Sequence, residues 1–199
     1  MKKTLFLLIP LILGILACRA SSQSTPTPDV NAIVEKTLTA IAEITPEPTP
    51  ITLSTDSLRS CLYRSPDWGE FQLTDGVYYR QPQTAQESPE TYTTRLLDPI
   101  LFGDINADGQ EDAVVFLATQ NGGTGHFVEM AAMLNQNGKP ENVSTISLGD
   151  RIIVKGGTIQ NGVIRLDLLV HGPNDGLCCP SQAVTWNFQL VDGKLVQIP

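Results

Sequence analysis

Oxygen-bearing side chains recur between positions 104 and 112, and residues of this type and spacing can bind a hard cation. Side chains with oxygen ligands stand at places 1, 3, 5 and 9 of the segment, and Gly109 stands at place 6, where a sharp turn is needed. Ca²⁺ prefers six to eight oxygen ligands, with a backbone carbonyl from place 7. The sequence therefore predicts a calcium loop with the ligands Asp104, Asn106, Asp108, Gln110 and Asp112.

The same segment also fits a chain of Asx turns without an ion, so the two interpretations stay open. Place 12, where a full EF-hand has a bidentate Glu, is Val115 inside a predicted strand. With Phe102-Gly103 before it and an apolar strand after it, the loop instead resembles the calcium loop of an FG-GAP repeat. The resemblance implies a strand-loop-strand unit that carries the ion, with a structural role, and not the propeller that such repeats form.

A second chemical feature is the adjacent pair Cys178-Cys179 in a turn-rich segment. Because thiols oxidise outside the cytoplasm, we expect one disulfide from Cys61 to Cys178 or Cys179. A bridge between the adjacent cysteines would be strained and easily reduced, which would indicate a redox or sensing role. Imidazole and thiolate also suit copper or zinc. The candidate second site therefore comprises His171, Asp175, Cys178 and Cys179.

The N-terminus has the order of a secretory signal: Met1-Lys2-Lys3, then the apolar run 5–16, then Ala17-Cys18. The run is shorter than the about 20 residues of a spanning helix. Residues 15–18 resemble the lipobox of bacterial lipoproteins, where the cysteine takes a diacylglycerol before the signal is removed. The resemblance implies a signal peptide at 1–17 and a lipidated Cys18. It places the protein on the bacterial cell membrane or outer membrane, with its domain outside the cytoplasm.

The charge balance limits the partners that this chain binds. The formal net charge is −8, and it becomes −10 once Lys2 and Lys3 leave with the signal peptide. An acidic surface argues against a nucleic-acid partner and against electrostatic attraction to anionic lipid. It suits a solvated surface module or a cation binder.

Residues 18–53 are predicted to form a tether that carries one short amphipathic helix. The segment 19–29 is too polar to fold, whereas apolar residues recur at helical spacing over about residues 28–44. The proline-rich segment 45–50 ends this helix and is expected to be extended. Whether the helix docks on the domain, frays, self-associates or lies on the membrane surface stays open.

From residue 54 to 199 the pattern changes to short apolar runs separated by turn residues, which predicts a mainly β domain. Short links favour a meandering antiparallel sheet, curled or folded into two layers. We expect a hairpin over 71–79, and central strands, buried on both faces, at 113–117 and 152–154. The predicted hairpin connectors are residues 74–76, residues 135–140 with Asn137-Gly138 inside them, Gly149-Asp150, Asn161-Gly162 and Asp192-Gly193.

Several motifs together resemble a group of uncharacterised bacterial exported proteins and lipoproteins over residues 70–198. They are the acidic loop, the glycine-rich segment 122–125, and the segments 137–140, 148–151 and 171–180. The resemblance implies a single domain and no particular activity. Because no convincing nucleophile or base is present, we favour a non-enzymatic, calcium-stabilised module that binds an envelope protein or glycan. The alternative is a soft-metal or thiol-redox protein centred on His171, Cys178 and Cys179.

Overall fold

The structure is a computed structural model that describes Asn31, residues 51–81 and residues 91–199. Two compact units divide the chain, Met1–Pro48 and Thr49–Pro199, and the elements below belong to the second unit. The predicted signal peptide and Cys18 lie outside the described residues, as does the predicted helix at 28–44 apart from Asn31, which is helical. None of the helices in the described part of the chain is long and apolar enough to cross a membrane.

The described part of Thr49–Pro199 contains one short helix, α1 (Thr55–Arg59), and eleven strands. Helix α1 begins after Ser54, whose side chain accepts the N–H of Ser57 as an N-cap. The strands are β1 (Leu62–Ser65), β2 (Gly69–Gln72), β3 (Val77–Arg80), β4 (Tyr92–Gly103), β5 (Asp112–Gln120), β6 (Phe127–Gln136), β7 (Lys139–Asp150), β8 (Ile153–Gln160), β9 (Val163–Val170), β10 (Gln182–Val191) and β11 (Lys194–Ile198).

The strands form three antiparallel sheets. One contains β1 and β2, a second has the order β3-β4-β5-β6-β7, and a third has the order β11-β10-β9-β8. Both larger sheets follow chain order, and one sheet is curled, so the predicted mainly β, meandering antiparallel fold is confirmed. The connectors 137–138, 161–162 and 192–193 each have two consecutive residues at positive φ, the conformation that a tight hairpin turn requires.

Apolar side chains pack on both faces of the five-stranded sheet. On β5, Val114 and Phe116 join a core shared with the four-stranded sheet. Their neighbours Ala113, Val115 and Leu117 join a second core with α1, β1 and β2. The prediction that strand 113–117 is central and buried on both faces is confirmed, because β5 has β4 and β6 on its two sides.

The prediction that 152–154 is a central, doubly buried strand is wrong. Strand β8 is an edge of the four-stranded sheet, and Ile153 is 43% exposed although Ile152 is buried. The apolar run marks a crossing instead: β7 ends at Asp150 in one sheet and β8 begins at Ile153 in the other. For the same reason Gly149-Asp150 is not a hairpin connector: both residues end β7 and pair with β6, and residues 151–152 link the two sheets.

The hairpin predicted over 71–79 forms only at its turn. Thr74 and Val77 exchange two backbone hydrogen bonds of 2.9 and 3.1 Å around Asp75-Gly76. Beyond the turn, β2 pairs with β1 and β3 pairs with β4. The turn residues determine the local reversal, whereas the two flanking strands find partners in different sheets.

Candidate functional site

A cavity of about 610 Å³ lies beside the end of the five-stranded sheet where β5 leads into β6. Its floor includes Ala118 on β5 and Val128 on β6, and Val128 also belongs to the core between the two larger sheets. Leu97, Ile152 and Pro180 add further apolar surface. The volume falls within the roughly 300–1,000 Å³ that is typical of small-molecule sites.

The loop between β9 and β10 forms one wall of this cavity through Leu177, Cys178 and Pro180. Leu177 is 79% exposed, although it is a large apolar side chain. Pro180 is buried, so the loop is seated on the domain at one end and presents Leu177 to solvent at its tip. An exposed leucine at the rim of an apolar cavity marks a surface that a ligand can cover.

The polar side of the cavity is built by two segments that are tied together. Arg151, with φ 53°, donates to the carboxylate of Asp150 and to the backbone and hydroxyl oxygens of Thr124, the hydroxyl at 3.0 Å. Asp150 Oδ1 accepts the backbone N–H of His126 at 2.8 Å. The backbone N–H of Arg151 donates to the carbonyl of His126 at 2.7 Å. These bonds hold the β5–β6 loop against the β7–β8 crossing.

Asp175 organises the β9–β10 loop. Its Oδ2 accepts the backbone N–H groups of Gly172 at 2.8 Å and Ser181 at 2.7 Å, and its Oδ1 accepts the Ser181 hydroxyl at 2.7 Å. The hydrogen bond from Gly172, followed by those from Ser181, lowers the pKa of Asp175. The predicted site residue Asp175 therefore closes the base of the loop.

Cys178 and Cys179 are joined to each other in a disulfide, and both residues are exposed. Cys61 is free, contrary to the predicted bridge from Cys61 to Cys178 or Cys179. The sulfur of Cys61 donates to the Leu58 carbonyl at 3.4 Å, and burial raises the pKa of its thiol. Cys61 packs on the core beside α1, whereas Cys178 lines a cavity on the other face of the five-stranded sheet. The sheet separates the two positions.

The candidate second metal site is assembled only in part. His171 lies at the start of the β9–β10 loop, and its buried Nε2 has no hydrogen-bond partner among the residues that the structure describes. The two cysteine sulfurs are bonded to each other, so neither is a free thiolate. Over residues 51–81 and 91–199, no three His, Cys, Asp or Glu side chains are grouped so that they could hold a metal ion.

The predicted calcium loop joins β4 to β5, at the end of β5 opposite to the cavity. Asp104 accepts the backbone N–H groups of Ala107 at 2.7 Å and Gly109 at 2.9 Å. Asp108 accepts the side-chain amide of Asn106 at 2.9 Å and the backbone N–H of Gln110 at 2.8 Å, and these bonds lower its pKa. The local hydrogen bonds are those of consecutive Asx turns.

Asp112, the last predicted ligand, is fully buried and connects the loop to β6. Its Oδ2 accepts the N–H of Ile105 at 3.1 Å, and its Oδ1 accepts the N–H of Asn135 at 2.9 Å. Burial raises the pKa of the Asp112 carboxyl, and the two backbone hydrogen bonds oppose that effect. Asp112 thus anchors the acidic loop on the sheet.

No protein-family model, curated protein or solved structure matches the chain. Sequence reasoning singled out the β9–β10 loop, but it missed the cavity and the roles of His126, Arg151 and Leu177. Two signals were available: the glycine-rich segment before His126, and Gly149-Asp150-Arg151, at which β7 ends before the chain crosses to the other sheet.

Proposed function

We propose that this chain is a lipid-anchored protein of the bacterial cell envelope that acts as a non-enzymatic binding module. Its β domain stands outside the cytoplasm and takes an apolar group of an envelope protein, glycan or small molecule into the cavity at the β5–β6 end. The observation that carries the proposal is the cavity itself. It is preformed, its floor is continuous with the core, and its polar groups are gathered on one side.

A neutral apolar dye tests the cavity. The chain from residue 18 to 199, carrying Cys18→Ser so that no lipid is attached, is titrated with Nile red. Ala118→Trp should abolish binding, because an indole placed on the floor fills the cavity. Ala183→Trp makes the same change at an exposed position of β10 and should leave binding intact. Equal binding by both variants would contradict the proposal.

The anchor is supported by the signal-like N-terminus and the lipobox-like segment that ends at Cys18. In bacteria fed an alkyne-tagged fatty acid, the full-length chain should carry the tag and sediment with membranes. The Cys18→Ala variant should lose both properties. An untagged wild-type chain in the soluble fraction would refute the anchor.

We also propose that calcium binds at the acidic loop and has a structural role. The proposal is supported by the oxygen-bearing side chains at 104, 106, 108 and 112 and by Gly109 at φ 82°. Calcium at about 100 times its dissociation constant would add about 2.7 kcal/mol of stability, or roughly 5–10 °C in melting temperature. The shift should vanish in chelator and in Asp104→Asn/Asp108→Ala. If calcium does not shift the melting temperature of the wild-type chain, the loop is a turn that binds no ion.

The second candidate function is thiol-redox or soft-metal handling, and the observation that favours it is the exposed Cys178–Cys179 bridge. The two Cα atoms are 3.8 Å apart, below the usual separation of about 4.4–6.8 Å, because the residues are consecutive. Such a bridge should be reduced by glutathione, and the reduced chain should bind Zn²⁺ through His171 and the two thiolates. A bridge that resists glutathione would exclude this function.

A further inference from the structure

We propose that the cavity takes a ligand with an apolar body and a terminal carboxylate or carbonyl oxygen, and that this oxygen accepts hydrogen bonds from Arg151 and His126. The inference rests on the proposed binding function and adds the chemical class of the ligand. It follows from where the apolar and polar groups of the cavity lie and from which hydrogen-bonding atoms are already used.

The cavity offers an apolar surface on which the apolar body of the ligand can pack. Leu97, Ala118, Val128 and Ile152 approach from the sheets, and Leu177 approaches from the β9–β10 loop. Transfer of an alkyl or ring group from water onto these side chains is favourable by about 25 cal/mol per Å² buried. Leu177 gains most, because it is 79% exposed, whereas Ile153 of the same lining is 43% exposed.

Arg151 has donors to spare on the polar side. A guanidinium carries five N–H donors. The bonds from Arg151 to Asp150 and to the two oxygens of Thr124 occupy three of them. Its side chain is 14% exposed. A ligand oxygen at this point would accept from guanidinium N–H groups that make no hydrogen bond to the residues that the structure describes.

His126 supplies another donor. Its Nε2 lies 3.0 Å from Nε2 of Gln120, and an amide nitrogen can only donate. When Gln120 donates to Nε2, the ring proton lies on Nδ1, which can then donate to a ligand. Arg151 and His126 both line the cavity, so its polar side offers N–H groups from two side chains.

Among the described residues, those that line the cavity include Arg151 and His126 but no Asp or Glu. The Asp150 carboxylate lies outside this lining and accepts the N–H of His126 with one oxygen and a bond from Arg151 with the other. A cationic ligand in the cavity would face the guanidinium and meet no carboxylate in the lining. The cavity therefore discriminates against an ammonium group and in favour of a carboxylate or carbonyl group.

The test compares ligands that differ only at the head group. Decanoate, decanol and decylammonium compete with Nile red on the chain from residue 18 to 199 carrying Cys18→Ser, at neutral pH. Decanoate should bind at least about tenfold more tightly than decylammonium, the effect of one hydrogen bond to a charged group. Decanol should fall between them.

Variants at His126 and Arg151 test whether these two side chains cause the difference in affinity between the head groups. His126→Phe should weaken decanoate by about tenfold and leave decylammonium unchanged, whereas His126→Gln keeps a donor and should retain most of the affinity. Because Arg151 also holds the Thr124 loop, Arg151→Lys is used with a melting curve that checks the fold. The loss of affinity in Arg151→Lys should again be confined to the oxygen-bearing ligands, decanoate and decanol.

The outcomes separate the two proposals. If Nile red does not bind, or binds equally well to Ala118→Trp, the proposed function fails. If the dye binds in the cavity but decanoate and decylammonium compete equally, only the ligand class is refuted. An equal loss of all three ligands in His126→Phe would also refute it, since that pattern reports a change of shape and not a lost donor.

Discussion

Replacement of Asp112 by alanine should destabilise the β domain, because this carboxylate holds the acidic loop on the central sheet. Asp112 is fully buried, and it accepts the backbone N–H groups of Ile105 at 3.1 Å and Asn135 at 2.9 Å. Ile105 and Asn135 are themselves buried. Alanine therefore leaves two N–H groups without an acceptor in a place that water does not reach.

The magnitude follows from these two groups. A buried donor without a partner costs about 1–3 kcal/mol, so two cost about 2–6 kcal/mol. Loss of the carboxylate offsets part of this cost, because burial disfavours its ionised form and raises its pKa. We expect a net loss of about 2–4 kcal/mol for Asp112→Ala. Asp112→Asn keeps one acceptor oxygen and should lose about 1–2 kcal/mol.

The assay is urea unfolding of the unlipidated chain from residue 18 to 199 in chelator, so that bound calcium does not contribute. Asp108→Ala is the matched control in the same loop. Asp108 is exposed, and in the alanine variant the Gln110 N–H can donate to water instead. The free energy of unfolding of Asp108→Ala should therefore fall by no more than about 1 kcal/mol. If the two alanine variants unfold at the same urea concentration, the reasoning about buried donors is refuted.

Three further predictions concern other parts of the domain. Burial raises the pKa of Glu129, so its contribution to stability is fully present below the unfolded value of 4.5 and is lost as pH rises through the folded value. The stability of the wild-type chain relative to Glu129→Gln should therefore fall as pH rises from about 4 to about 8 in urea titrations, and a constant difference would contradict this. Native alkylation should leave Cys178 and Cys179 unlabelled, and a dithiol should expose both, as mass spectrometry would show; labelling before reduction would refute the bridge. Gly157→Ala should cost about 1–3 kcal/mol, because its Cβ would collide with a backbone carbonyl and with a core leucine at 2.8 Å. Gly156→Ala meets nothing within 4 Å and should be neutral in the same unfolding assay, so equal losses would show that packing is not the cause.

The residue types within three hairpin turns were enough to predict those turns correctly. Asn137-Gly138, Asn161-Gly162 and Asp192-Gly193 adopt positive φ at both positions and join consecutive strands, as their residue types predict. These side chains tolerate the left-handed region, so the turn is determined within the turn itself. The burial of β5 on both faces was also predicted, since five consecutive apolar residues fit a strand that is covered on both faces.

The wrong strand predictions concern segments where the chain passes from one sheet to another. Ile152 and Ile153 continue an apolar run, but one is buried in the core and the other is exposed on an edge strand. Thr74 and Val77 form their turn and then lead into different sheets. No local signal distinguishes these outcomes, because each depends on which sheet the strand joins: β2 pairs with β1, β3 pairs with β4, and β8 pairs with β9.

The cysteines illustrate the same limit at the site. Composition alone favoured a bridge that involved Cys61, yet Cys61 packs on one face of the central sheet and the Cys178–Cys179 loop lies on the other. Distance in the fold, which the residue types do not encode locally, decides which thiols meet.

The sequence by itself determined the mainly β class, the tight hairpin turns and the central strand, because each depends on residues within a few positions of one another. Only the tertiary structure decided which strands share a sheet and which cysteines pair. It also decided that Thr124, His126, Arg151 and Leu177 meet around one cavity. The cavity depends on packing between segments that are far apart along the chain, where burial of apolar surface and satisfaction of buried donors select one arrangement among many.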